Sequence, residues 1–237
     1  MANDVSDDVR AAARMLESGQ LVAFPTETVY GLGADAENAV ATAAIFALKN
    51  RPANHPLIVH VAPDADIGYW SSYIPDEAKK LIDAFWPGPL TLILKKAAHI
   101  PAAVAGGQDS IGLRCPSHPV AQALLRAFKG GKGGIAGPSA NRFGHVSPTR
   151  AEHVREEFGD DPRLAAILEG GQSEVGIEST ILDLSRIETA GPVLLRPGKI
   201  HSLQIAEVIG RMPEMPDAAA PRASGTLASH YAPLTPG

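Results

Sequence analysis

Apolar residues fall into short runs separated by glycine, proline and polar turns, and the runs alternate between helical and extended spacing. Residues 7–18, DDVRAAARMLES, carry a helical pattern. Ser6 is placed to cap that helix, Asp7 and Asp8 suit its positive end, and Gly19 is placed to end it. LVAFP (21–25) reads as a short strand stopped by Pro25, and 37–49 as an alanine-rich helix with Ala43, Phe46 and Ala47 near one face. PLIVHV (56–61), rich in branched apolar residues, predicts a central strand. Helices are expected at 76–85 and 119–129, with strands at LTLIL (90–94), SIGLR (110–114), LAAIL (164–168), STILDL (179–184) and PVLLR (192–196). Thr149 with Glu152 forms a capping box for a helix to about residue 158, and Ser202 is placed to cap a last helix ending near 210. Within GGKGGIAGPSAN (130–141), Ile135-Ala136 is either a short strand between turns or part of a mobile glycine-rich loop.

From Arg211 the periodicity disappears into a proline- and alanine-rich stretch that reads as an extended linker. No internal repeat is visible. Mixed helices and strands without strict alternation predict one twisted mixed α/β domain over 1–210 and a proline-rich arm over 211–237.

Composition bounds the function. The 237 residues suffice for one sizeable domain or two small ones, and 23 glycines with 20 prolines imply many specified turns. A net charge of −5 disfavours a generally basic nucleic-acid binder, while leaving room for a local basic patch. The single Cys115 excludes an intramolecular disulfide framework and a cysteine-only metal site. No run approaches the roughly 18 apolar residues of a membrane span. The first residues show neither a basic nor an apolar signal region, so the expected location is the cytoplasm.

Four stretches can carry chemistry. PTETVYGLG (25–33) offers three hydroxyls, Thr26, Thr28 and Tyr30, with two glycines that allow tight turns or close backbone approach to a ligand; a plain hairpin is the alternative. Lys49-Asn-Arg51 leaves a helix end, either as a solvated charge pair or as a polyphosphate clamp. The strand that follows carries His60, which is a satisfied core residue or a ligand group. Arg114 stands alone among apolar residues at a strand end and calls for a carboxylate or phosphate, or for a structural salt bridge. Ser139 and Asn141 follow the glycine-rich segment, where backbone N–H groups can form an anion nest. Glu178-Ser-Thr180 enters a strand and Arg196-Pro-Gly198 leaves one. Cys115 beside Arg114 and near His118 reads as a core or wall cysteine, and the eight histidines show no ligand spacing. A metal, if used, is expected as Mg²⁺ carried by nucleotide phosphates.

Taken in order, PTETVYGLG (25–33), KNRPANHPLIVHV (49–61), WPGPLTLIL (86–94), SIGLRCPSHP (110–119), GPSANRFGHVSPT (137–149), ESTILDL (178–184) and LLRPGKI (194–200) closely resemble the YrdC/Sua5 family of L-threonylcarbamoyladenylate synthases. The resemblance spans about residues 7–210. It implies a YrdC-like α/β fold: a twisted mixed sheet with flanking helices around a large concave cavity. It also implies that ATP, L-threonine and bicarbonate or CO₂ give L-threonylcarbamoyl-AMP and pyrophosphate, with Mg²⁺ accompanying ATP. A transferase complex then places the threonylcarbamoyl group on adenosine 37 of tRNA.

By the same resemblance, Lys49 and Arg51 lie on the ATP phosphates and carry catalysis. Ser139, Asn141, Ser179 and Arg196 surround the nucleotide. Thr28, Tyr30, His60 and Arg114 hold the threonine end, with Arg114 on its carboxylate. SGTLASHYAPLTP (224–236), with His230 and Tyr231, resembles the linker that covers the cavity in longer members and leads to a second small domain, so the arm is expected to end before such a domain. It lacks the methionine and further basic residues often found in that linker. The resemblance also admits direct contact with tRNA. Two rival readings are an RNA-binding or regulatory module on the same fold, and carbamoyl-adenylate chemistry on another acceptor.

Overall fold

The computed structural model describes residues 6–226. Eighteen regular elements follow one another, apart from two short 3₁₀ turns. Helix α1 (Asp7–Glu17) is capped by Ser6, whose hydroxyl accepts from the Val9 N–H. Strands β1 (Leu21–Phe24) and β2 (Gly31–Asp35) are followed by α2 (Ala39–Lys49), whose first turn is held by the Asn38 side chain. Then come β3 (Ile58–Val61), the short α3 (Ile67–Trp70), β4 (Ser71–Tyr73), α4 (Asp76–Phe85) and β5 (Leu90–Lys96). The second half runs through β6 (Ser110–Arg114), α5 (Pro119–Ala127), β7 (Gly134–Ala136), α6 (Ala151–Phe158) and β8 (Leu164–Ile167). It finishes with β9 (Thr180–Asp183), α7 (Ile187–Ala190), β10 (Val193–Arg196) and α8 (Ser202–Ile209).

The strands form one mixed sheet in the order β10-β9-β5-β6-β3-β7-β2-β1-β8, with β4 on β5. Pairs β3/β6, β5/β9 and β1/β8 are parallel, and the other pairs are antiparallel. Side chains alternate across a strand. In β1, Leu21 and Ala23 enter one apolar cluster while Val22 and Phe24 enter another, so the sheet is covered on both faces. Helices α1 and α5 cover one face through Val9, Leu16, Leu124 and Leu125. Residues Ile45, Leu81, Val154 and Ile205 bring α2, α4, α6 and α8 to the other cluster.

Most expected elements are present. Of the two readings of the glycine-rich segment, residues 134–136 take the short strand, paired to both β2 and β3 inside the sheet. Two details differ. The Thr149–Glu152 capping box does not form. The helix starts one residue later on Arg150, and the Thr149 N–H donates to His153 Nδ1. Helix α8 is capped by His201 rather than Ser202, with Gln204 completing the box through the His201 N–H.

The glycines of PTETVYGLG also serve a different purpose. A Cβ on Gly31 or Gly33 of β2 would meet the Phe24 ring of β1 at 3.0–3.1 Å, and on Gly33 also the Val22 carbonyl oxygen at 2.9 Å, so these glycines let β2 pack closely on β1. The described part of the arm does not hang free. Glu214 bridges to Val193 of β10, Asp217 pairs with Arg186, and Arg222 exchanges hydrogen bonds with Gln108.

Candidate functional site

Two parallel strands create one end of the site. In the β3/β6 ladder His60 lies opposite Arg114. Both side chains are buried and both line one cavity.

Arg114 has five N–H donors. It forms a buried ion pair with Glu27, donates from Nη1 to Thr28 Oγ1 at 2.9 Å, and donates from Nε to the Gly88 carbonyl at 3.4 Å. Glu27 Oε2 accepts in turn from the backbone N–H groups of Ser117 (2.7 Å) and His118 (3.3 Å). Burial opposes charge on Glu27, yet the Arg114 cation and these backbone donors outweigh it and hold its carboxyl below the usual range.

The threonine hydroxyls form a directed chain. Thr26 Oγ1 donates to the Val29 carbonyl at 2.6 Å and lies 2.9 Å from Thr28 Oγ1. The Thr26 proton is thus committed, so Thr28 donates to Thr26 and accepts from Arg114. What Thr28 presents to the cavity is an acceptor lone pair.

His60 presents a second acceptor. Its Nδ1 lies 3.3 Å from the carbonyl oxygen of Ile135, which can only accept, so Nδ1 carries the proton and Nε2 the lone pair. Burial, with the Arg114 cation adding to it, pushes the ring down to about 3 and keeps it neutral. Phe24 stands edge-on to the ring, and Gly137 leaves it space.

The other end of the cavity is cationic. Arg51 and Arg196 line it with Ser139, Glu178 and Ser179. Three guanidiniums therefore face one carboxylate in a protein whose overall charge is −5. Arg196, the last residue of β10, pairs with Glu178 and donates to the Ser179 carbonyl (3.0 Å) and hydroxyl (3.1 Å). Ser179 is further fixed by Thr91 Oγ1 at 2.7 Å, and Ser147 donates to Glu178 at 2.9 Å. Arg51 donates from Nη2 to the Pro56 carbonyl and the Ser224 hydroxyl, both at 2.9 Å. Its Nε is buried without a partner among the described residues. Burial pushes this guanidinium down to about 10, with Glu178 opposing and Arg196 adding. The Ser224 carbonyl accepts from Arg196 at 2.8 Å, so one residue of the arm offers oxygens to both arginines.

The structure thus gathers Thr28, Arg51, His60, Arg114, Ser139, Ser179 and Arg196 around one cavity. Lys49, Tyr30 and Asn141 lie behind its wall. Lys49 is not a solvated helix-end cation. It is 1% exposed, and its Nζ donates to the carbonyl oxygens of Ser139 and Asn141, each at 2.5 Å. Burial, with Arg51 adding, pushes it down to about 7. Asn141 turns its amide into its own loop, onto the carbonyls of Arg142 and His145. The Tyr30 hydroxyl ties the Gly170–Gly171 turn. His230 and Tyr231 lie outside the described residues.

Glu27 escaped sequence reading because its partner is 87 positions away. The signal available was a lone acid between two hydroxyls and a lone arginine elsewhere. Cys115 is a buried free thiol of the apolar core, pushed up to about 12, first by burial and then by Glu27, so it has no nucleophilic character.

Among the described residues no cluster of three or more His, Cys, Asp or Glu is suited to a metal. Glu178 and Ser179 line the cationic end, where both are engaged by Arg196. No helix of the described residues is long and apolar enough to cross a membrane.

Residues 14–198 match a family model, Sua5/YciO/YrdC, described as telomere recombination. The chain is 43% identical over 232 residues to a threonylcarbamoyl-AMP synthase of Pyrococcus abyssi, covering 95% of this chain and 65% of that protein. It is 42% identical over 249 residues to a threonylcarbamoyl-AMP synthase of Bacillus subtilis, covering 98% of this chain and 68% of that protein. It therefore spans about two thirds of the length of these relatives. The crystal structure of P. abyssi Sua5 complexed with L-threonine superposes with a TM-score of 0.85 at 41% identity, over 95% of this chain and 65% of that one. Escherichia coli YciO shares the fold, with a TM-score of 0.69 at 23% identity over 83% of this chain and 92% of that one.

Proposed function

Because the chain belongs to the YrdC/Sua5 family, we propose that it makes L-threonylcarbamoyl-AMP from ATP, L-threonine and bicarbonate or CO₂, releasing pyrophosphate. The observation that carries this reading is the polarity of one cavity. One end offers two acceptors and a guanidinium, and the other offers two guanidiniums and serine hydroxyls.

An α-amino acid fits the first end. Arg114 takes the carboxylate through the N–H groups it has left, while Thr28 Oγ1 and His60 Nε2 accept from the amine. With a basicity near 3, His60 acts as an acceptor and an orienting group, not as a proton store. The neutral amine bonds to the carbon of bicarbonate or CO₂ and gives an N-carboxylate; from bicarbonate water leaves, and from CO₂ the amine proton passes to solvent. A carboxylate oxygen then attacks the α-phosphorus of ATP, and the bond to the β-phosphate bridging oxygen breaks.

Arg51 and Arg196 neutralise the phosphates, and Ser139 and Ser179 fix the nucleotide. Lys49 serves this end by holding the Ser139–Asn141 loop from behind. Pairing and positioning of reactants supply most of the acceleration in such a scheme, and no covalent nucleophile is needed. Mg²⁺ bound to ATP would neutralise phosphate charge, and Glu178 and Ser179, which line this end, would hold its hydration shell. The N-carboxylate is labile, so the arm at Ser224 would help to exclude water. The product is to serve N6-threonylcarbamoyladenosine formation at tRNA position 37 through a downstream transferase complex.

An RNA-binding module finds less support. Arg150, Arg155 and Arg163 on the surface near α6 are each paired with a carboxylate, Glu152, Glu169 and Asp161. The reading is tested by pyrophosphate release from ATP. Release that requires both threonine and bicarbonate supports it; release indifferent to either, or none, rejects it.

A further inference from the structure

Glu27 does not line the cavity, yet two of the groups at its acceptor end, Arg114 and through it Thr28, lead back to it. We infer that Glu27 is a positioning residue for substrate carboxylate recognition, setting the guanidinium of Arg114 and, through it, the direction of the Thr28 hydroxyl. This inference rests on the amino-acid reading above.

The geometry is a fixed relay. Glu27 Oε2 is anchored by two backbone N–H groups, of Ser117 and His118, in the turn between β6 and α5. The backbone of the Glu27 loop is anchored as well, since the carbonyls of Glu27 and Thr28 accept from Val175 and Gly176 at 2.8 and 3.1 Å. The carboxylate is therefore immobile before it meets Arg114. Its Oε1 takes Arg114 Nη2, which leaves Nη1 pointing at Thr28 and commits that hydroxyl to donate to Thr26.

Arg114 is only 4% exposed, and Glu27 is its one carboxylate partner among the described residues. A buried guanidinium without its partner keeps its desolvation cost and seeks another acceptor. Freed from Glu27, it can turn toward other oxygens in the wall, and the donor chain 114→28→26 loses its direction. The isosteric amide would present an N–H₂ to the cation or flip it toward the two backbone donors, and either arrangement opposes the present one.

The test compares wild type, Glu27→Gln and Glu27→Asp in the full chain. Initial rates are measured with threonine and ATP varied separately, and the Arg114 side-chain Nε–H exchange is followed by NMR without any ligand. Glu27→Gln is expected to raise KM for threonine by about tenfold or more, the size expected from losing one charge-assisted hydrogen bond. KM for ATP should stay within about twofold. The Arg114 Nε–H should lose exchange protection in the free protein, and Glu27→Asp, which keeps the charge, should recover part of both effects.

Equal rises in both KM values, or an unchanged threonine KM, would overturn the inference, as would an Arg114 Nε–H that exchanges as in wild type. If Glu27→Gln does not fold, the same threonine-to-ATP comparison in Glu27→Asp decides. A wild-type chain that does not use threonine would refute the proposed function instead, while the ligand-free exchange measurement would still judge the positioning of Arg114.

Discussion

Lys49 Nζ lies 2.5 Å from the carbonyl oxygen of Ser139, and only Ser139 of the two lines the cavity. The lysine thus shapes a wall from behind. Lys49→Met keeps the side-chain length but strips the half-buried Ser139 carbonyl and the buried Asn141 carbonyl of their donor. We expect a loss of about 2 kcal/mol in denaturant unfolding, within the cost of buried groups left unpaired. Activity should fall at saturating ATP as well as at low ATP, because the loop rather than a phosphate contact is lost. A change confined to KM for ATP, with stability intact, would instead place Nζ on the phosphates.

Arg51 carries the opposite expectation. It lines the cavity and has a buried Nε without a partner among the described residues, a donor suited to an incoming anion. Arg51→Ala should raise KM for ATP by about tenfold to a hundredfold, the range of one or two charge-assisted hydrogen bonds, and leave KM for threonine nearly unchanged. Arg51→Lys should recover part of the loss, since charge returns without the planar fork. Steady-state kinetics with each substrate varied separates these outcomes.

His60 predicts a pH dependence of stability. Its folded value, about 3, lies below the unfolded value of 6.5, so the unfolded chain binds more protons between them. The contribution is fully present above pH 6.5 and is lost as pH falls toward 3. Urea unfolding of wild type and His60→Gln from pH 7 to pH 4.5 should show wild type losing stability faster, by up to about 1.4 kcal/mol per pH unit. Parallel curves would show that the ring is not held neutral.

Cys115 is expected to be inert. Burial and the nearby Glu27 carboxylate push the thiol up to about 12, so little thiolate exists at neutral pH. A thiol reagent should label it only on unfolding, and Cys115→Ala should keep activity while losing about 1 kcal/mol or more of stability through the vacated volume. Fast labelling of the native protein would contradict its burial in the core.

Much of the fold was legible because strands such as PLIVHV and SIGLR announce themselves by branched apolar residues and bounding turns. Strand β2 was not. Gly31-Leu-Gly-Ala-Asp35 has little intrinsic strand preference, and it is held extended by pairing with β1 and β7 and by the Phe24 ring filling the space above its glycines. The helix caps at Arg150 and His201 sat one residue from the expected ones, since several polar residues adjoin each start and tertiary partners choose among them.

In the site, Arg114 and Arg196 were readable as cations ending apolar strands. The burial of Lys49 was not, because the loop that covers the end of α2 comes from residues 139–143, about 90 positions on. Nor does a sequence-wide charge of −5 reveal that three guanidiniums converge on one cavity.

The central claim is tested most directly by supplying the purified chain with ATP, Mg²⁺, ¹³C-labelled bicarbonate and L-threonine, and identifying the nucleotide product by mass spectrometry. The account predicts threonylcarbamoyl-AMP carrying one ¹³C from bicarbonate and the intact threonine, formed together with pyrophosphate. It also predicts that the product is nearly abolished by Arg114→Ala. AMP or ADP without an attached threonine, or a labelled adduct equally abundant with Arg114→Ala, would contradict it.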